Sequence, residues 1–189
     1  DADLVLIPGS KSTRGDLAFL REQGWDIDLY AHRRRGGHIL GVCGGYQMLG
    51  RSIADPDGLE GPAGETEGLG LLEVSTVMSA DKTLREVTAV DAGSGLAVEG
   101  YEIHLGQTEG SDCQRPFGYV DQQPEGACSE DGRVQGSYLH GLFREDAFRR
   151  SFLARLGAPA SDLSYDKSLD DVLNGLADHL EEHLDIDAL

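Results

Sequence analysis

Long apolar runs are missing from this sequence. No stretch approaches the roughly 20 apolar residues that an α-helix needs to cross a bilayer, and no N-terminal segment has the character of a signal peptide. We therefore expect no membrane partner. The first residue is Asp1 rather than Met, so we also expect a fragment whose upstream part is absent.

Cysteine is scarce as well. The chain has three cysteines, Cys43, Cys113 and Cys128, and none of them form a CxxC pair. An odd number without that spacing argues against a disulfide framework and against a cysteine-rich zinc site. This usage is typical of a reducing cytoplasm, where we expect the protein to reside, and it predicts no metal site.

Basic residues are also few. The chain carries 16 Lys and Arg against 34 Asp and Glu, which gives a formal charge of −18. Such a charge repels nucleic acids and anionic membranes, so we expect neither as a partner. A length of 189 residues with 39% hydrophobic content suits one domain with its own core.

Strand and helix signals alternate in the first fifty residues. Apolar residues 4–7 and 38–42 predict buried parallel strands. Helical patterns follow over residues 16–24, with Asp16 as a capping residue, over residues 26–35, and from Tyr46 onward. This order is typical of a doubly wound α/β sheet, which would normally have earlier strands. We expect at least one strand–helix unit upstream.

Beyond residue 54 the spacing of apolar residues shortens from the helical period toward the period of two that is typical of strands. Residues 55–70 are rich in Gly, Pro and acids and are predicted to form a loop. Four strands are predicted after it, over residues 71–77, 85–90, 98–104 and 133–139. A helix is predicted over residues 145–156. Apolar residues recur at helical spacing from Leu169 to Leu184, which predicts a last helix packed on the core.

Cys43 stands where an apolar strand turns into a helix. Residues 41–47 read Gly-Val-Cys-Gly-Gly-Tyr-Gln, and the glycines let the backbone pass closely, as in a nucleophile elbow. The positive end of the following helix favours a thiolate. The N–H of Gly44 is expected to face a developing oxyanion. From this segment alone, a buried structural cysteine is the alternative.

A second loop is expected at the same edge of the sheet. Residues 8–12 read Pro-Gly-Ser-Lys-Ser and follow the first strand, where α/β proteins build their sites. The backbone of Gly9 and Ser10 is expected to supply a second oxyanion donor. The glycine spacing of a phosphate-binding loop is absent, so we expect no ATP site or other cofactor in this chain.

A histidine is the usual base for such a thiol, because imidazole accepts the thiol proton and later protonates the leaving group. Three of the six histidines lie on predicted helices: His32, His179 and His183. His38 precedes a strand, at its wrong end. His104 and His140 remain as candidates, each at the end of a predicted strand.

Several motifs resemble one family in chain order. Residues 41–47 resemble the nucleophile motif of class I glutamine amidotransferases. Residues 8–12, 67–72, 100–106 and 136–141 are similar to motifs of the cobyric acid synthase branch of that class. The resemblance covers nearly the whole chain. It implies one flavodoxin-like α/β glutaminase domain over residues 1–189, truncated at its N-terminus, with a mostly parallel sheet and flanking helices.

The resemblance also implies roles for individual residues. Cys43 becomes the nucleophile and His140 the general base, while Gln47 and Gly45 contact bound glutamine. Glu102 and His104 are candidates for orienting the site or contacting substrate, with a structural role as the alternative.

The activity that the resemblance implies extends beyond this chain. Ammonia from glutamine would pass to a separate synthetase domain that uses ATP and Mg²⁺. There it would amidate peripheral carboxylates of a corrinoid, adenosylcobyrinic acid a,c-diamide, in cobalamin biosynthesis. The partners of this chain would then be glutamine and, through the synthetase domain, the corrinoid.

Leu142 departs from the pattern of the wider class. Most members carry a Glu two residues after the histidine, which orients the imidazole. The cobyric acid synthase branch resembles a Cys–His dyad in this respect, and a further branch takes a carboxylate from a partner chain. Three alternatives stay open: a glutaminase subunit that amidates a peptidoglycan precursor, a different cysteine hydrolase, and a non-catalytic module that only binds a partner.

Overall fold

The computed structural model describes residues 2–80, 83–159 and 161–184. The helices are α1 (Thr13–Glu22), α2 (Trp25–Arg34), α3 (Gly44–Leu49), α4 (Asp146–Arg155) and α5 (Tyr165–His183), with a 3₁₀ turn at Ser111–Gln114. The strands are β1 (Leu4–Ile7), β2 (His38–Val42), β3 (Ser52–Asp55), β4 (Gly64–Glu67), β5 (Val74–Val77), β6 (Thr83–Asp91), β7 (Ala97–His104), β8 (Gln107–Gly110), β9 (Gly118–Val120), β10 (Gln123–Glu125), β11 (Ala127–Cys128), β12 (Val134–Ser137) and β13 (Leu139–His140).

One mostly parallel sheet carries the two glycine-rich loops. Its strand order is β1-β2-β12-β11, in which β2 runs parallel to both β1 and β12 and only β11 is antiparallel. Gly41 of β2 lies opposite Ile7 on one side and Gly136 on the other. The carboxyl ends of these strands therefore meet at one edge, as the sequence predicts.

Two further sheets are largely antiparallel. One has the order β10-β9-β6-β7-β13 and pairs β7 with β13, the strand that ends at His140. The other has the order β4-β3-β5-β8, with β3 and β5 parallel. The three sheets and the helices give an α/β fold.

The core lies in two clusters on either side of the parallel sheet. Successive side chains of a strand point to opposite faces, and Ile39 accordingly packs in one cluster while Leu40 packs in the other. The first cluster holds buried apolar residues of α1, α2 and α3, among them Leu17, Leu29 and Leu49. The second is closed by α4 through Phe148 and Phe152, as its helical pattern predicts.

Some predicted boundaries are wrong. Helix α1 begins at Thr13 after Ser12, three residues before the predicted start, so Asp16 lies in the first turn and is not the cap. Residues 55–70 are not all loop, because β4 pairs antiparallel with β3. Gly64 and Glu65 are poor strand formers, and the cross-strand partners that hold them come from tertiary structure.

The last helix does not pack on the core. Helix α5 spans Tyr165–His183, as its spacing predicts, but none of its residues are buried. Leu173 is 52% exposed and Val172 is 68% exposed. Periodicity reports that a helix has an apolar face, whereas the surface that would cover that face is a property of the tertiary structure. The prediction of core packing for this helix was therefore wrong.

Candidate active site

Cys43 occupies a strained turn between β2 and α3. Its backbone has φ 54° and ψ −114°, a region that non-glycine residues rarely adopt and that costs about 1–3 kcal/mol. The two glycines that follow leave no room for side chains. A Cβ on Gly45 would lie 2.1 Å from the carbonyl oxygen of Ile7, and one on Gly44 would lie 2.9 Å from the nitrogen of Ser10. The turn is therefore built as an elbow that projects the thiol.

His140, at the end of β13, lies next to the turn that holds Cys43. Its ring stacks on Tyr101 of β7, with centroids 4.9 Å apart and planes 8° from parallel. A Cβ placed on Gly9 would lie 3.3 Å from Cε1 of His140 and 3.5 Å from Cβ of Cys43. The Nε2 atom of His140 is buried and has no hydrogen-bond partner among the described residues. Thiol and imidazole thus converge on Gly9, with one ring nitrogen unpaired.

Burial keeps both groups neutral at rest. It raises the pKa of Cys43 above its ordinary value, although a hydrogen bond with the Gly44 backbone opposes the shift and the charge of Glu60 adds to it. Burial also lowers the pKa of His140. The Sγ atom of Cys43 donates a hydrogen bond to the carbonyl oxygen of Ile103 at 3.3 Å. An unpaired imidazole nitrogen beside a neutral thiol suits a base that takes the proton during attack.

The loop after β1 stands against the elbow. The N–H of Gly44, the first residue of α3, has no acceptor within the helix, and Ser10 packs directly beside it. The Ser10 hydroxyl is already used, because it donates to Asp16 and accepts the N–H of Ser12. The backbone N–H groups of Gly9 and Ser10 are donors that this loop can offer to a negatively charged oxygen near Cys43.

Gln47 is held by hydrogen bonds inside the protein. Its Oε1 accepts from the Thr13 hydroxyl at 3.1 Å, and its Nε2 donates to the Leu105 carbonyl at 3.0 Å and to the Tyr138 hydroxyl at 3.2 Å. Both amide hydrogens are thus engaged, which leaves one acceptor position on Oε1. Gln47 lines the cleft, whereas Gly45 is buried against the end of β1.

Glu102 faces away from His140. In the pairing of β7 with β13, Glu102 lies opposite Leu139, while His140 lies opposite Tyr101. Alternation therefore puts the Glu102 carboxylate on the other face of the strand, where it accepts a hydrogen bond from Arg85 at 2.6 Å. The position two residues after His140 is equally closed to a carboxylate, because Leu142 is buried in the second core cluster.

His104 lies on the wall of the cleft. Its ring stacks on Tyr138 with centroids 3.9 Å apart, and its Nδ1 lies 3.2 Å from the Gly106 carbonyl oxygen. Burial lowers the pKa of His104, so it is neutral near pH 7. Of the two supporting candidates, His104 lines the cleft and Glu102 does not.

The chain matches a known protein family over most of its length. CobB/CobQ-like glutamine amidotransferase domains match residues 1–148, which is most of the chain. The chain belongs to this family. It is 65% identical over its whole length to a cobyric acid synthase of Bradyrhizobium diazoefficiens, and 69% identical over 98% of its length to one of Rhodobacter capsulatus. The chain spans 39% of the length of each of these relatives.

Solved structures agree on the fold of this amidotransferase domain. A glutamine amidotransferase aligns over 82% of this chain and 80% of its own, with a TM-score of 0.58 and 20% identity. PurLQS from Thermotoga maritima aligns over 93% of this chain and 81% of its own, with a TM-score of 0.56 and 18% identity. The α/β amidotransferase fold and the similarity to cobyric acid synthases, both predicted from the motifs, are confirmed.

A cleft of about 600 Å³ opens above Cys43 in the amidotransferase domain. Cys43, His140 and Gln47 line it, and so do two polar residues that lie outside the sequence motifs, Thr13 and Glu60. Glu60 lies in the stretch predicted as a loop, where no periodicity or motif distinguishes it from the neighbouring acids. Only folding brings it to the start of α1, where it accepts the Thr13 N–H at 2.6 Å.

The described part of the domain has neither a cluster of metal-ligating side chains nor a membrane-spanning helix. Within residues 2–80, 83–159 and 161–184, no group of three or more His, Cys, Asp or Glu side chains is arranged to hold a metal ion. Over the same part of the chain, no helix is long and apolar enough to cross a membrane.

Proposed function

We propose that this domain is a glutaminase in which Cys43 is the nucleophile and His140 the general base. The observation that carries the proposal is the strained Cys43 beside an imidazole whose buried Nε2 has no hydrogen-bond partner among the described residues, with Gly9 packed against both side chains. A non-glycine residue is held in such a backbone region only when the surrounding structure enforces it, and such strain clusters at active sites.

The first half of the reaction uses the resting neutral pair. Nε2 of His140 accepts the thiol proton as Sγ of Cys43 bonds to the amide carbon of glutamine. The tetrahedral oxyanion is stabilised by the backbone N–H of Gly44 and by N–H groups of the loop at Gly9 and Ser10. The imidazolium then protonates the amide nitrogen, the C–N bond breaks and ammonia leaves a γ-glutamyl thioester on Cys43.

The second half restores the thiol. His140 accepts a proton from water as the water oxygen attacks the thioester carbon, and the same oxyanion donors stabilise the second intermediate. When the C–S bond breaks, the proton returns to Sγ and glutamate is released. The mechanism uses a Cys–His dyad without a carboxylate, because Leu142 is buried in the core and the Glu102 carboxylate accepts a hydrogen bond from Arg85. The Tyr101 ring, stacked on the imidazole, fixes its orientation instead.

The ammonia acceptor is proposed from the relatives. The full proteins at 65% and 69% identity are named cobyric acid synthase, so we propose that ammonia from this domain amidates peripheral carboxylates of adenosylcobyrinic acid a,c-diamide in cobalamin biosynthesis, in the cytoplasm. We assign the ATP- and Mg²⁺-dependent step to a synthetase domain that lies outside this chain. A glutaminase acting on a peptidoglycan precursor is the alternative acceptor pathway.

Glutamate release from glutamine tests the proposal in the full-length protein. We expect release that is lost in Cys43→Ala, kept in Cys128→Ala and increased by ATP together with the corrinoid. Cys128 is a matched control because burial raises the pKa of its thiol to about 11 and it lies on the edge strand β11. Release that ignores the corrinoid would favour the peptidoglycan pathway. No Cys43-dependent release from folded protein would leave a binding module.

A further inference from the structure

Glu125 is a buried carboxylic acid, and the proposed mechanism gives it no task. It lies on β10, at one end of the strand order β10-β9-β6-β7-β13, while His140 lies on β13 at the other end. Its side chain nevertheless contacts the segment that leads to His140. Oε1 accepts the Tyr138 N–H at 2.6 Å, and Oε2 accepts the Ser137 hydroxyl at 2.9 Å. A buried acid therefore holds the backbone just before the proposed base.

These hydrogen bonds lie where the chain passes from one sheet to another. Strand β12 ends at Ser137 in the mostly parallel sheet, and β13 begins at Leu139 in the sheet of β6 and β7, so Tyr138 belongs to neither ladder. A buried N–H without an acceptor is costly. Glu125 accepts the Tyr138 N–H, and the Ser137 hydroxyl oxygen accepts the Leu139 N–H at 3.0 Å. Side chains therefore fix the backbone at this crossing.

The same crossing also contacts the nucleophile. The Ser137 carbonyl accepts the N–H of Cys43 at 2.8 Å, and Ser137 lies opposite Val42 in the pairing of β12 with β2. The residue that Glu125 holds is thus bonded to the Cys43 turn on one side and leads to His140 on the other. A displacement of Ser137 would change the position of the imidazole relative to the thiol.

We propose, resting on the glutaminase function above, that Glu125 is a positioning residue that holds the imidazole of His140 at the distance from Cys43 that proton transfer needs. Proton transfer requires heavy atoms about 2.6–3.2 Å apart. Removing the carboxylate would leave the Tyr138 N–H without its acceptor and the Ser137 hydroxyl without its partner. The backbone before the imidazole would then shift. An error of 1 Å costs about 100-fold in rate, so a shift of about half that distance costs about tenfold.

A general role in stability is the competing explanation, in which loss of Glu125 loosens the whole domain. The two roles separate in a double-mutant cycle with His140→Ala, read out by alkylation of Cys43 with iodoacetamide in the full-length protein. Alkylation needs neither glutamine nor the oxyanion donors, and near neutral pH its rate depends on how well the imidazole takes up the thiol proton. Mass spectrometry distinguishes the Cys43 adduct from adducts of Cys113 and Cys128.

Three variants test the hydrogen bonds of the carboxylate. Glu125→Ala removes both of them. Ser137→Ala removes the hydroxyl that joins the carboxylate to the Leu139 N–H, and it serves as the test if Glu125→Ala does not fold. Glu125→Gln keeps an oxygen for the Tyr138 N–H and places an amide beside the Ser137 hydroxyl oxygen, so it should rescue the function that alanine loses. Thermal unfolding checks that each variant is folded.

Asp91→Ala is the matched control. Asp91 is also buried, and it also accepts a backbone N–H, at 2.7 Å, and a hydroxyl, at 2.6 Å, both from Ser94. It ends β6, whereas the row of residues that contains His140 crosses β6 at Glu86. A loss of stability alone would therefore appear in Asp91→Ala as well, without a change at Cys43.

The expected result is specific to the imidazole. Glu125→Ala should slow alkylation of Cys43 and lower kcat for glutamine by about tenfold each, with KM within about twofold of wild type. Ser137→Ala should lower both rates by about threefold, as a smaller shift predicts. On the His140→Ala background both effects should disappear, because the group that Glu125 positions is absent. Glu125→Gln and Asp91→Ala should match wild type in both rates.

Three outcomes would overturn the inference. Wild-type alkylation and kcat in folded Glu125→Ala, or in Ser137→Ala where Glu125→Ala does not fold, would show that the carboxylate does not position the base. An effect that persists on the His140→Ala background, or that Asp91→Ala reproduces, would show a general loss of stability. A loss in Glu125→Gln as large as in Glu125→Ala would show that these hydrogen bonds are not the means.

Failure of the glutaminase proposal gives a different pattern. Wild-type alkylation of Cys43 in His140→Ala would show that the imidazole does not activate the thiol, and the inference about Glu125 would fall with the catalytic proposal. Turnover that is silent while alkylation still depends on His140 bears on the glutaminase activity alone. The alkylation cycle then decides the role of Glu125 by itself.

Discussion

Replacing Gly9 with alanine would put a methyl group between the two proposed catalytic side chains. The new Cβ would lie 3.3 Å from Cε1 of His140 and 3.5 Å from Cβ of Cys43. The first distance is shorter than ordinary van der Waals contact, so the imidazole must move by a few tenths of an ångström. The backbone of Gly9 is not in the left-handed region, so alanine adds no backbone strain there.

The size of the effect follows from that displacement. A misplacement of 1 Å in a catalytic arrangement costs about 100-fold in rate. A shift of a third to a half of that distance then corresponds to a fall in kcat of about five- to tenfold. Gln47, the proposed glutamine contact, has no atom closer than 3.9 Å to the added Cβ, so KM for glutamine should change little.

Steady-state glutamine hydrolysis by the full-length protein measures both constants, and thermal unfolding checks that the variant is folded. Gly175→Ala is the matched control, because Gly175 lies on exposed helix α5 with no atoms within 4 Å of its added Cβ. It should leave kcat unchanged and stabilise the helix locally by about 1 kcal/mol. A folded Gly9→Ala variant with wild-type kcat would refute the placement of His140 beside Cys43 during catalysis.

Three further predictions concern ionisable groups. Because burial lowers the pKa of His140 from 6.5, the acidic midpoint of the kcat/KM profile should lie below pH 6.5; a midpoint above 6.5 would contradict this. Glu102→Gln should lower the free energy of unfolding in urea by about 1 kcal/mol, because it weakens the hydrogen bond with Arg85, and should leave kcat unchanged. A large loss of kcat would show that Glu102 acts in the active site. Burial raises the pKa of Glu125 from 4.5 to about 7, so its contribution to stability is lost as pH rises through that interval. The free energy of unfolding of Glu125→Gln, measured in urea and taken relative to wild type, should therefore rise by about 2–3 kcal/mol between pH 5 and pH 8. A difference between the two proteins that does not change with pH would refute the pKa shift.

The candidate nucleophile and base could be predicted from the sequence because their signals are local. A cysteine between an apolar strand and a glycine pair specifies an elbow, since both glycines meet backbone atoms closer than any Cβ tolerates. A histidine at the end of a late strand specifies a second group at that edge. The order of the motifs then gave the family, and the parallel strands followed from apolar runs joined by helices.

Other features of the site depend on contacts between distant parts of the chain. Glu102 stands beside His104 in a motif, but the pairing of β7 with β13 turns its carboxylate away from His140 and toward Arg85. Glu60 and Thr13 are 47 residues apart and meet only through the fold.

The same division applies to the last helix and to the ionisation of the site. Spacing alone gave α5 its apolar face, but whether that face is covered depends on what packs against it, and in this structure it is exposed. The sequence by itself identified which side chains have the chemistry. The tertiary structure decided which of them share a cleft and which are neutral there, because burial and cross-strand pairing arise only when distant segments pack together.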